Sequence, residues 1–232
     1  MDFKHLLSPV ASLSSVNADA LVVVIGVEQR DPALDHVVSA LIDDAVASGD
    51  LQLKVGRCAY FHRPAAVKAK RLVVAVGAVS PDGAVKGLKK AVAQALGMLK
   101  AGGAKHVAVA LATSAEPGQA FAEAVATVAS EAVYQYKLTK PSAGAVSQLL
   151  KVSVVCEKAA AAAVQQGLKR GAAIGSGVGL ARELANMPGN FCTPTYLGEQ
   201  ARKLGKDHGL SVQVLDRKAV EKLGMGSFVA VA

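Results

Sequence analysis

The residues that could carry chemistry in this chain are few, and their spacing limits what they can do. A dinuclear hydrolytic centre needs carboxylates gathered so that two cations sit ~3.5–4 Å apart and share a water. Here Glu183, Glu199, Asp207, Asp216 and Glu221 fall singly along helical stretches or at a strand end, with no paired spacing. Asp43-Asp44 is the one adjacent acidic pair, and neighbours on a helix point in different directions, so a solvated helix end is expected there rather than a metal site. His5, His36, His62, His106 and His208 contain no i, i+4 pair of the kind a helical zinc site uses. No metal ligand and no catalytic residue is assigned.

Nucleophiles fare no better. Ser176 in Gly175-Ser176-Gly177-Val178-Gly179 has glycine neighbours, but a nucleophile elbow needs Gly-x-Ser-x-Gly after a strand, and this segment follows a helical pattern. The same glycines miss the dinucleotide spacing, so they are read as a surface where another backbone packs closely. Cys192 precedes Thr193-Pro194 at a helix start, a setting that favours thiolate, yet no histidine stands near it in sequence. A thiol packing a joint is the expectation.

Charge is the one unevenly distributed property. Net charge is +8, yet residues 1–50 carry only Lys4 and Arg30 against eight acids. Residues 51–110 reverse this, with Asp82 as the sole acid. Lys54, Arg57, Lys68, Lys70, Arg71, Lys86, Lys89 and Lys90 are the candidate nucleic-acid-binding residues of that window. The competing expectation is an ordinary solvated surface, or a face that meets the acids of the first fifty residues.

The elements that must position these groups follow from patterning. With 232 residues, 52% hydrophobic and 19% charged, the chain can bury one large or two small cores. Tryptophan is absent, so Val, Leu and Ala must fill them. No apolar run reaches the ~18 residues of a membrane helix, and Met1-Asp2-Phe3-Lys4-His5 lacks a signal-peptide pattern. Three well-separated cysteines imply free thiols in a reducing, cytoplasmic setting.

Continuous β-branched runs at 20–26, 71–77, 106–111 and 149–156 predict buried strands, with a weaker edge strand over 53–62. Helices are predicted from Asp31-Pro32 to about residue 47, and over 85–99, 118–136, 158–187, 194–208 and 217–223. A turn is expected at Ser80-Pro81-Asp82-Gly83, and short strands at 211–215 and 228–232. This alternation argues an α/β three-layer sandwich with a largely parallel, mixed sheet. An end on the apolar Phe228-Val229-Ala230-Val231-Ala232 reads as a cut within a longer polypeptide.

The joint 182–201 punctuates the chain. Pro188 stops a helix, Gly189-Asn190 allows reversal, Thr193 offers an N-cap and Pro194 takes the first helical position. Arg182-Glu183-Leu184-Ala185-Asn186-Met187-Pro188-Gly189-Asn190-Phe191-Cys192-Thr193-Pro194, followed by Leu197, Ala201 and Leu204, resembles the domain joint of the leucyl aminopeptidase family. Val212-Gln213-Val214-Leu215-Asp216 and Glu221 to Phe228 continue that pattern, so the resemblance is specific from about Gly177 to Ala232. It implies an amino-terminal α/β domain at 1–160 akin to the macro fold, a linking helix at 161–189 and the start of a catalytic domain at 190–232. It also implies a hydrolase that removes amino-terminal residues from peptides with two divalent cations, manganese or zinc, as a homohexamer. The family's lysine, aspartate and glutamate metal motifs do not occur here, so this chain alone is expected to be inactive. Some bacterial members of that family bind DNA, and some macro domains bind ADP-ribose; both are kept as alternatives.

Overall fold

The four β-branched runs become the interior of one six-stranded sheet in the order β1-β6-β5-β2-β4-β3. The computed structural model describes residues 1–28, 30–77, 84–140, 142, 144 and 147–231. Its strands are β1 (Asp2–Leu7), β2 (Ala20–Gly26), β3 (Cys58–His62), β4 (Arg71–Gly77), β5 (His106–Ala112) and β6 (Lys151–Cys156). All neighbours are parallel except β3 and β4. Every residue of β2 is buried, as a central parallel strand covered on both faces requires.

Alternate side chains of each strand feed two separate cores. Val22, Val24, Val109 and Val154 meet α2 (Ala84–Leu99), α3 (Gln119–Val133) and α4 (Ala161–Asn186) on one face. Leu21, Val23, Ile25 and Ala110 meet α1 (His36–Ala47) and the 3-10 segment Val10–Ser15 on the other. The result is the expected three-layer α/β sandwich with a mixed, largely parallel sheet.

Several boundaries differ from expectation, each for a physical reason. β1 has no periodic signal because its pattern mixes Asp2, Lys4 and His5 with apolar residues, as suits a half-exposed edge. Of the run 53–62 only β3 pairs, because Gly56 turns with φ +87°. The first helix starts at His36: Asp31 instead closes a turn, its Oδ1 accepting from Ala33 N–H at 2.8 Å. Asp35 is the true N-cap, accepting from Val37 and Val38 N–H at 2.9 and 3.3 Å. The predicted turn at 80–83 lies outside the described residues.

Two compact units result, Met1–Leu180 and Ala181–Ala232. In the second, α5 (Pro194–His208) starts as predicted, with Thr193 Oγ1 accepting from Tyr196 N–H at 3.2 Å. It ends at Gly209 in the left-handed region, φ +66°. Residues 211–215 form no strand. The expected terminal strand is instead the helical turn α7 (Gly226–Val229), which follows α6 (Arg217–Lys222). No partner strand is present in this unit for either segment to pair with, among the described residues.

Candidate functional site

Parallel strands aim their carboxyl ends at one edge of the sheet, and there the connections diverge. β2 and β5 are neighbours, but β2 leads into α1 on one face and β5 leads towards α3 on the other. Such a divergence leaves a crevice between the loops, the usual ligand position in open α/β sheets. Asp31 N–H donates to Ala112 C=O across the gap at 3.2 Å, and Ser8 N–H donates to Cys156 C=O at 3.2 Å. Beside them lies a cavity of about 130 Å³ lined by Ser8, Asp31, Thr113, Ser114, Glu116 and Glu157 above an apolar floor that includes Val10 and Leu13.

This cavity does not favour ADP-ribose. Pockets for drug-sized ligands occupy roughly 300–1,000 Å³. Three carboxylates and no lysine or arginine line it among the described residues, so a diphosphate would meet repulsion rather than a cradle. Burial pushes the Cys156 thiol up from its ordinary pKa, and the Cys58 thiol is pushed up to about 11. Neither is poised as a nucleophile.

The eight candidate cations form two groups at opposite ends of β4, which are ~20 Å apart at ~3.3 Å per residue. Lys54 and Arg57 flank the turn whose Gly56 N–H donates to Val76 C=O at 2.8 Å, at the carboxyl end. Lys90 lies over that turn: a Cβ added to Gly56 would stand 2.6 Å from its Cε. Lys86 is exposed and Lys89 half-buried within the preceding turn of α2, so these five share one region. Lys68, Lys70 and Arg71 sit at the other end, where Lys68 N–H donates to Ser14 C=O at 2.7 Å and Arg71 helps lower the pKa of Asp19. Among the described residues, none of the eight joins a salt bridge.

The other sequence candidates do not converge. Asp43 pairs with Arg30 at 2.6 Å and Asp44 is exposed. Gly175 does meet another helix, since an added Cβ would stand 2.5 Å from Ser130 Cβ. Gly177 and Gly179 touch nothing within 4 Å, so close packing fails as their explanation. Ser176 is exposed and Cys192 half-buried. Patterning missed Gly167 and Gly171, which bring α4 onto α3: added Cβ atoms would collide with the carbonyl oxygens of Gln119 and Glu123. Their spacing of four, continued at Gly175, was the available signal.

Patterning also missed a part-buried polar pair, half-buried His106 Nε2 and buried Ser153 Oγ, 2.9 Å apart. Ser153 is 1% exposed, too enclosed to act as a nucleophile on a bound substrate. Burial lowers the His106 pKa, Lys151 lowers it further, and Asp19 partly opposes both. The second unit holds an open groove of about 780 Å³ between α5, the segment 213–216, α6 and α7, lined largely by apolar residues such as Leu197, Val214 and Phe228.

The architecture is a three-layer α/β unit followed by a small, mostly helical second unit. The cytosol aminopeptidase family model for the N-terminal domain matches residues 21–142, and the same family's catalytic-domain model matches residues 179–232. The chain therefore belongs to the cytosol aminopeptidase family. A probable cytosol aminopeptidase of Methylibium petroleiphilum is 50% identical over 232 residues, covering 100% of this chain and 47% of the relative. The cytosol aminopeptidase of Pseudomonas aeruginosa is 34% identical over 204 residues, covering 86% and 41%. A mutant of tomato leucine aminopeptidase shares the fold, with TM-score 0.78 at 21% identity over 100% of this chain and 48% of its own. The chain spans about half the length of the curated relatives it matches.

The family is one of metallopeptidases. Among the described residues no group of three or more His, Cys, Asp or Glu side chains could hold an ion. The described residues do not fit a dinuclear centre. Among the described residues no helix is long and apolar enough to cross a membrane.

Proposed function

We propose that this chain is the amino-terminal half of a metallo-aminopeptidase, with a non-catalytic domain at 1–160, a linking helix at 161–189 and the opening of the catalytic domain at 190–232. One observation carries the reading: the catalytic-domain family model takes up at residue 179, within two residues of the Ala181 at which the second compact unit begins. The composition of that unit supports it. Among its described residues only Gly205 and Val220 are buried, while Phe191, Leu210, Leu223 and Phe228 stand exposed. A segment with so little interior belongs against more protein.

The whole enzyme would remove amino-terminal residues, leucine preferred, from peptides in the cytosol. Two divalent cations, manganese or zinc, would be held by residues not among those present, and the assembly would be a homohexamer. The test compares leucine p-nitroanilide hydrolysis, with added manganese, by these 232 residues and by a chain extended to the length of its relatives. Activity in the longer chain alone is expected; turnover by the 232 residues above a metal-free blank would overturn the division of labour.

The basic surface supports a subsidiary reading, that of nucleic-acid contact. Lys54, Arg57, Lys86, Lys89 and Lys90 lie together without a salt bridge among the described residues, whereas Lys68, Lys70 and Arg71 sit too far away to extend the same patch. Gel shifts on duplex DNA should weaken steeply with salt, because each neutralised phosphate releases counterions. Binding left unchanged by Lys86→Glu and Lys90→Glu together would rule out this face.

A further inference from the structure

We infer that the cavity at the carboxyl edge of the sheet binds a small primary alkylammonium, a ligand separate from the peptide substrate proposed above. Place, size and chemistry each contribute. The cavity lies where the connections of β2 and β5 part to opposite faces, and it is lined from the loops that follow β1, β2, β5 and β6 and from the 3-10 segments Val10–Ser15 and Lys158–Ala160. At about 130 Å³ it is close to the ~150 Å³ that accepts a benzene-sized guest. An occupant of about six non-hydrogen atoms fits, and a nucleotide does not.

The lining decides the charge of that occupant. Leu13 and Val155 are buried and give an apolar floor, against which an alkyl group would lose contact with water. Asp31, Glu116 and Glu157 place three carboxylates around the cavity, with no cationic side chain among the described lining residues to balance them. None of the three forms a salt bridge among the described residues. A cation at the rim would meet this field and an anion would be repelled. Asp31 also accepts from Ala33 N–H, so its carboxylate is held in place before any ligand arrives.

Three probes of one shape separate charge from size: 3-methylbutylammonium, 3-methylbutan-1-ol and 3-methylbutanoate, each titrated into the 232-residue protein and followed by backbone-amide NMR. The ammonium should give saturable shifts confined to residues around Ser8, Ser114 and Glu157. The alcohol should bind at least tenfold more weakly, and the carboxylate should leave those amides unmoved. Glu116→Gln and Glu157→Gln change exposed side chains, so the fold survives, as amides elsewhere will show. Each should weaken the ammonium up to about fivefold, the size of a solvent-screened charge pair. Equal binding of alcohol and ammonium, shifts scattered over the surface, or an unchanged affinity in the double variant would each overturn the assignment.

Discussion

Asp35 shows how much one side chain can organise. It is 3% exposed, and its Oδ2 accepts from Ser14 N–H and Oγ at 2.8 and 2.6 Å while Oδ1 caps α1. Burial opposes its ionisation, but these donors outweigh that and hold its pKa below the usual carboxylate value. Asp35→Ala should cost about 2–4 kcal/mol by urea unfolding, the sum of a cap and a buried charged acceptor. His106 gives the pH dependence. Its folded pKa lies below the ordinary 6.5, so as pH falls the unfolded chain takes the proton first. Stability therefore declines from about pH 6.5 down through the folded value. His106→Gln can keep the bond to Ser153 and should flatten the difference between urea midpoints at about pH 7.5 and about pH 5.5. Neither role was legible beforehand: Asp35 was hidden by the nearer Asp31-Pro32 signal, and the partners His106 and Ser153 lie on different strands.

At the scale of elements, what patterning read well was whatever burial on both faces enforces. β2 is a uniform apolar run, β4 and β5 are apolar after their leading Arg71 and His106, and no other conformation would shelter them as completely. It failed where pairing decides. β1 is a strand because β6 offers an open edge, and residues 211–215 are not one because no such edge is available among the described residues. Helix α4 makes the same point with glycine. Gly171→Ala would press a methyl to 2.8 Å from Ala126 Cβ and into Glu123, and should cost about 1–2 kcal/mol, an overpacking loss exceeding the helix gain. Gly177→Ala faces open space in the same helix and should gain up to about 1 kcal/mol. Paired melting curves would show opposite signs, and matching signs would refute the α3–α4 contact as the reason for the stripe.

For the whole molecule, the legible part was the joint at 182–201, whose caps and breakers carry both a local structure and a family likeness. The cavity at the sheet edge was not legible, because Ser8, Asp31, Thr113 and Glu157 come from four loops that only the strand order brings together. The basic window was legible as composition but not as a surface, since its residues divide between the two ends of β4.

The strand order carries one further consequence, for biosynthesis. Asp2 to Leu7 find their partners only at Lys151 to Cys156. At ~5–20 residues per second, a ribosome needs roughly 8–30 s to make the intervening chain. For that interval β1 has no partner strand. Of the six strands, the earliest in the chain therefore waits for the latest.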